Sequence, residues 1–262
     1  MNDERTFDDV AARMSLRLRT VADMLKDDSA HKCTADVGCD HGYVSIYLVQ
    51  NKISESAIAM DVRKGPLAMA ENNIRDYALT GEITTRLSDG LTQLHEDEAD
   101  SLVIAGMGGK LMISILEKKD LVSLGIRAAV LQPQSDIDEF REYLRGKGYF
   151  IEDDRIILDE GKYYFPIKVV PGDGGRGSFS TPDSAIALLS KVCDPDMALQ
   201  ACNLYGEHTI LRRDPLLKDY LAHGREVALS ILQGLDEKEH SQRYAEVKNS
   251  LDIINAVLTL YD

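Results

Sequence analysis

Residues 34–43 read TADVGCDHGY. A short β-branched and apolar run carries an acid, Asp36, and then meets Gly38, a second acid at Asp40, His41 and a second glycine, Gly42. Glycines just after a strand let a ligand or another backbone come close, because no Cβ stands in the way. A helix starting there presents unpaired N–H groups and a partial positive charge. Doubly wound folds take nucleotide-like ligands at that position. The spacing here is Gly38-x-x-x-Gly42, so the dinucleotide pattern G-x-G-x-x-G and the Gly-Lys-Ser/Thr phosphate loop are both absent. Two carboxylates beside the loop would repel a pyrophosphate. They suit a ligand with a cationic end, such as an ammonium or a sulfonium.

Outward from this stretch the chain alternates. CTADVG, AIAMDV, ITTRLSDG, DSLVIAGMGG and AAVLQP are short apolar runs, each stopped by Gly, Pro or Asp. Helix-length segments lie between them at 44–51, 66–79, 110–118 and 137–147, with Pro66 at a position that suits a first helical turn. An opening helix is expected over 8–27 on the stripe Val10, Met14, Leu18, Val21 and Leu25. Strand alternating with helix predicts an α/β, Rossmann-like doubly wound sheet. YFIEDDRIILDEGKYYFPIKVVP, with a turn at 159–161, predicts a final antiparallel hairpin closing that sheet. The Gly/Ser/Pro-rich connector at 172–184 sets the expected boundary between domains 1–172 and 173–262. Beyond it, two stripes (Leu217, Leu221, Gly224, Ala228, Ile231, Leu235 and Tyr244, Val247, Leu251, Ile254, Leu258, Tyr261) flank a polar stretch at 236–242. They predict an antiparallel, coiled-coil-like helical hairpin, either a cap on the first domain or an extended arm.

The 262 residues carry 44 acids against 30 bases, a net charge of −14. This argues against non-specific attraction to nucleic acid or anionic membrane. Local basic groups remain at Arg63-Lys64, Lys118-Lys119, Arg141/Arg145/Lys147 and Arg212-Arg213. The four cysteines form no CxxC pair and read as free thiols with no metal site. The polar N-terminus lacks the apolar core of a signal peptide, and no run approaches a membrane span, so a cytoplasmic protein is expected.

The other strand ends sharpen the ligand. Asp61 and Val62 follow the second run about twenty residues past the loop, where an acid commonly takes ribose hydroxyls. Asp89 and Gly90 follow the third, where an acid can accept from an adenine amino group. The fourth ends in Ala105-Gly106-Met107-Gly108-Gly109, nearly bare of side chains. An acid after a strand is commonly a turn former or helix cap. Four such ends in one sheet instead fit a sugar, an adenine and an amino-acid tail together, which is S-adenosylmethionine (SAM). An NAD enzyme would need a tighter glycine loop.

MSLRL and VADML, then ADVGCDHGYVSIYL, AMDVRKGPLAMAENNI, RLSDGL, IAGMGG and LQPQSD resemble the bacterial tRNA adenine-N1 methyltransferases of the TrmK type, over roughly residues 10–170. The likeness extends more loosely through YGEHTILRRDPLLKDYL. Where that family tends to carry Asn after Gln132-Pro133, this chain has Gln134-Ser135. The resemblance implies a class I SAM methyltransferase domain followed by a helical domain, with tRNA as partner and N1 of adenosine 22 as target. Because N1 is already a lone-pair nucleophile, catalysis is then mainly positioning and electrostatics, with the base drawn out of its stack. Asp40 is the expected catalytic carboxylate, accepting from the exocyclic amino group, with His41 either orienting the base or touching the carboxyl end of SAM. The expected cofactor-binding set is Asp36 and Gly38 at the methionine end, Asp61 and Val62 at the ribose, Asp89 and Gly90 at the adenine, Gly106 and Met107 as the floor with Gly108, and Arg17 reaching a carboxylate or phosphate. Tyr43 and Tyr47 are the nearby aromatics. The acidic charge keeps open a methyltransferase acting on a small molecule or protein; the non-enzymatic alternative is a SAM- or RNA-binding protein with a degenerate site, against which the intact acids at Asp36, Asp40, Asp61 and Asp89 argue.

Overall fold

The computed structural model describes residues 9–172 and 181–262, the first three residues of the latter by backbone only. Strands β1 (Thr34–Val37), β2 (Ala57–Asp61), β3 (Ile83–Leu87), β4 (Ser101–Met107) and β5 (Ala128–Pro133) are parallel. With β6 (Phe150–Asp154) and β9 (Ile167–Val170) they form a seven-stranded sheet in the order β3-β2-β1-β4-β5-β9-β6. Every residue of β1, β2 and β5 is buried. Their near-continuous apolar sequence is what a strand covered on both faces requires. One face is covered by α1 (Leu16–Asp23), α2 (Tyr43–Gln50) and α3 (Lys64–Asp76), the other by α4 (Gly109–Lys118) and α5 (Ile137–Gly146). Chain order reverses between β1 and β4, which puts a crevice at their carboxyl ends.

Two expectations are corrected. The opening helix is not continuous. Val10–Arg13 is a 3-10 turn, Met14 is extended, and α1 begins only after Ser15, whose hydroxyl accepts from the Leu18 N–H at 3.3 Å. Val10, Met14, Val21 and Leu25 are still buried. The apolar stripe survives while the serine cap breaks the helix. The turn at residues 159–161 forms with Glu160 and Gly161 both at positive φ, as a two-residue hairpin needs. Its strands, β7 (Ile157–Asp159) and β8 (Lys162–Tyr164), make a separate two-stranded sheet. The pair that closes the main sheet is β6 and β9, which flank the hairpin, with β9 inserted beside β5.

The connector expected at 172–184 lies mostly outside the described residues, and its last part already belongs to α6 (Thr181–Leu189). Helices α7 (Pro195–Tyr205), α8 (Glu207–Leu211), α9 (Pro215–Gly234) and α10 (Ser241–Leu258) follow. The stripes predicted from 217 and 244 onward lie on α9 and α10, which pack against each other, except that Leu235 is extended just after α9 and Tyr261 lies in a 3-10 turn after α10. Leu217, Leu221, Ile254 and Val257 enter a core with Ile156 and Phe165 from the edges of the β7–β8 hairpin. No described helix is long and apolar enough to cross a membrane.

Buried polar staples fix the helices to the sheet. The fully buried Asp154 carboxylate accepts from the N–H groups of His208 (3.1 Å) and Thr209 (2.9 Å) at the start of α8. Arg141, also fully buried, donates to the carbonyls of Asn203 and Leu204 at the end of α7, and Arg145 pairs with Glu207 at 2.6 Å. Arg212 donates to Asp153 and to the Asp154 carbonyl. Arg141, buried, and Arg145, half-buried, two of the local basic groups, are therefore structural ties, while Arg212 ties to β6 and stays 44% exposed. Gly206 makes this joint possible, since it sits at φ 89° and a Cβ there would lie 2.2 Å from Asp154 Oδ1. Gly206→Ala is expected to destabilise the protein by about 2 kcal/mol or more, read by denaturant unfolding. A change within about 0.5 kcal/mol, the range of an innocuous surface substitution, would show that the joint is not constrained in this way.

Candidate functional site

The crevice at the switch point is a cleft of about 490 Å³. All eleven expected site residues line it: Arg17, Asp36, Gly38, Asp40, His41, Asp61, Val62, Asp89, Gly90, Gly106 and Met107. A larger, more open hollow of about 760 Å³ lies beside His31, Ala128 and Val170. That is the amino-terminal end of the parallel strands, away from the loops that carry the motifs.

The loop after β1 is shaped for close approach. Gly38 has φ 78° and Gly42, capping α2, has φ 73°. A Cβ on Gly38 would fall 2.4 Å from Met107 Cε, and one on Gly42 would press on Ala70. The N–H groups of Gly38 and Cys39 both bind the Met60 carbonyl, tying the loop to β2. Between the glycines Asp40 takes φ 47°, uncommon for a residue with a side chain. Its carboxylate is 60% exposed and lies 3.6 Å from His41 Nε2. The His41 ring stacks on Tyr43 at 5.7 Å between centroids. Tyr47 is not in the cleft: it is buried, and its hydroxyl donates to Asp23.

The acids differ in environment. Asp36 is buried in the middle of the sheet, and the Ser45 hydroxyl donates to it at 2.7 Å. Burial pushes its carboxyl up to about 6, with the nearby Asp61 charge adding in the same direction and the Ser45 hydrogen bond opposing. Asp61 is also buried and accepts from the Arg63 N–H at 2.8 Å. Asp89 is 63% exposed and paired with Lys118 at 2.7 Å. Of the two buried carboxylates that a cationic ligand reaching into this cleft meets, Asp61 has Arg63 at 3.6 Å and Asp36 has no basic side chain bonded to it among the described residues.

The loop after β4 supplies the bare floor. Ala105 pairs with Gln132 and Met107 with Pro133, so Gly106 bulges out between them at φ 80°. Arg17 reaches this point from α1. Its Nη1 donates to the fully buried Gln132 at 2.7 Å, its guanidinium lies over the Tyr164 ring at 5.2 Å, and its backbone N–H donates to Asp159. The β7–β8 hairpin thus anchors Arg17. Gly108, expected in the floor, does not line the cleft: it caps α4, and a Cβ there would lie 3.0 Å from Ser135 Oγ. Leu18, Ser88, Leu111, Ile115 and Gln134 line the cleft without having been singled out as site residues. Leu111 and Ile115, four apart on α4, have the spacing of one helix face, but the sequence does not say that this face meets a ligand.

A family model described as a methyltransferase domain matches residues 14–167. This chain belongs to that methyltransferase family. The match contains every residue of the cleft. The tRNA (adenine(22)-N(1))-methyltransferase of Bacillus subtilis is 29% identical over 250 residues, covering 94% of this chain and 97% of the relative. The crystal structure of the B. subtilis M1A22 tRNA methyltransferase TrmK superposes with TM-score 0.73 at 27% identity, over 94% of this chain and 98% of that one. A Streptococcus pneumoniae putative tRNA (m1A22) methyltransferase, solved in complex with S-adenosyl-L-methionine, gives 0.74 at 26% identity, over 94% and 99%.

In this methyltransferase a carboxyl whose folded pKa is raised costs stability when ionised, so the cost grows as pH rises from about 4 through 6 and is constant above. Asp36→Asn is expected to leave ligand-free stability unchanged at pH near 4 and to raise it by up to about 3 kcal/mol at pH 7.5. Denaturant unfolding at the two pH values tests this. Equal effects at both, or a loss at pH 7.5, would contradict the assigned environment.

Proposed function

We propose that the protein is a SAM-dependent methyltransferase acting on N1 of adenosine 22 in tRNA. On this reading its 1–172 domain carries the site and its 173–262 helical domain assists RNA docking. The observation that carries the reading is the buried, cation-seeking Asp36 at the head of a glycine-lined cleft, with Asp61 and Asp89 at the next two strand ends. The near-complete coverage of the B. subtilis relative supports the choice of substrate.

The residues fit SAM. The cleft volume lies in the range of small-molecule sites. Asp36 and Gly38 would hold the cationic amino-acid end, Asp61 and Val62 the ribose, and Asp89 and Gly90 the adenine. When bound, SAM supplies an electrophilic methyl on a sulfonium. The protein's part is to present adenine N1 to it and to favour the positive charge that the ring gains. Asp40 would accept from the exocyclic amino group, with His41 beside it; its exposure at the mouth of the cleft and its unusual backbone conformation support that role. No proton need leave N1, so neither residue has to act as a strong base.

Incubation with labelled SAM and unmodified tRNA, then nucleoside digestion and mass spectrometry, is expected to yield 1-methyladenosine. Transfer to no tRNA while S-adenosylhomocysteine still binds would contradict the substrate. Asp40→Ala is expected to lower the rate about a hundredfold or more, in line with loss of one preorganised electrostatic group, with S-adenosylhomocysteine affinity within about twofold. An unchanged rate would remove Asp40 from the chemistry.

A further inference from the structure

Two glutamines, Gln132 and Gln134, sit two residues apart at the end of β5 and have opposite fates. Gln132 is fully buried and both ends of its amide are used: Oε1 accepts from Arg17 and Nε2 donates to the Pro133 carbonyl. Gln134 is exposed and lines the cleft, and its amide has no hydrogen-bond partner among the described residues. It is the one side-chain amide among the described residues of that cleft. Its backbone is held firmly, because its N–H donates to the Met107 carbonyl at 2.8 Å, joining the β5 loop to the β4 loop. A Cβ built on Gly106 would lie 3.7 Å from Gln134 Nε2 and 3.7 Å from Arg17 Nη1. A bare patch of backbone is thus flanked by a free amide on one side and a fixed guanidinium on the other.

Resting on the methyl-transfer reading above, we propose that Gln134 reads the target adenine through its exocyclic amino group and N7. A carboxamide offers one acceptor and one donor side by side, which match adenine N6–H and N7 as a bidentate pair. Bound along that edge, the base leaves its N1 lone pair free for the incoming methyl. Guanine presents acceptors at both O6 and N7, so one of its oxygens or nitrogens would face the amide oxygen. The amide acceptor also gains strength as the ring becomes cationic, because the exocyclic N–H then becomes a charge-assisted donor. Arg17, a fixed cation, would oppose that developing charge if it faced the same edge. It suits an anionic group beyond the base, and the reading edge falls to the neutral amide. Asp40 and Gln134 then approach the amino group's two hydrogens from different loops. The roles are separable: Asp40 supplies charge, and Gln134 supplies identity and orientation.

The test pairs a residue change with a change of one substrate atom. tRNA is assembled by ligation with adenosine or 7-deazaadenosine at the target position, and kcat/KM is measured for the wild type and for Gln134→Ala. Wild type is expected to lose roughly tenfold or more on the deaza substrate, as for one lost half of a bidentate pair. Gln134→Ala is expected to be some ten- to hundredfold slower on adenosine, yet to treat the two substrates alike. Gln134→Asn should fall between the two. S-adenosylhomocysteine affinity should stay within about twofold in every variant, which reports an intact fold and cofactor site. An equal deaza penalty in wild type and Gln134→Ala, or full activity of the variant, would overturn the assignment while leaving the methyltransferase reading standing. Absence of transfer by the wild type to any tRNA would overturn both.

Discussion

The site depends on a charge placed where charge is costly. Asp36 sits inside a four-residue strand at the centre of a parallel sheet, buried on every side. One hydroxyl, that of Ser45 on α2, is its main hydrogen-bonding partner. Among the described residues no arginine or lysine is bonded to it, and Asp61 nearby is of the same sign. Desolvation therefore wins over hydrogen bonding, and on the proposed reading a bound cation relieves that cost. Such an arrangement at the carboxyl end of a sheet strand is poor design for stability and good design for binding a ligand that carries an ammonium and a sulfonium. The rest of the cleft supports that one residue. Glycines at 38 and 106 remove side chains that would fill it, and Met107 closes over the first glycine.

The sheet and the cleft were legible because their signals are local. Each of the first five strands is a short apolar run with a stop residue at its end, and a parallel strand covered on both faces cannot hide that pattern. The acids at 36, 61 and 89 lie at successive strand ends, so naming the strands placed them together. The separation of the β7–β8 hairpin from the main sheet was not legible. Whether an extended segment pairs with its neighbour or with β5 is decided by partners far along the chain. The break at Ser15 was missed because periodicity of burial continues across a cap.

Charge misled at Arg141 and Arg145. A sequence shows that a residue is cationic, not that helix-end carbonyls and carboxylates from another unit surround it. Their role is to hold α7 and α8 against α5. This joint sets the helical part relative to the site, and it takes Arg141 and Arg145 out of any basic surface offered to RNA. Arg63 remains at the cleft rim, 68% exposed and 3.6 Å from Asp61. Gln134 escaped notice as a functional residue for the opposite reason: one exposed amide in a loop carries no pattern, and only the bulge at Gly106 gives it something to face.

On the proposed reading the Asp36 carboxylate is the counter-charge for SAM. The most direct test of this is calorimetric titration of the protein with SAM across pH 5 to 7.5. With the carboxyl at about 6, roughly a tenth is ionised at pH 5, so affinity should fall about tenfold from its value at pH 7.5. Asp36→Asn should bind weakly at both pH values and lose the dependence. A flat profile in the wild type, or an Asn variant that binds SAM as tightly as the wild type, would contradict the account.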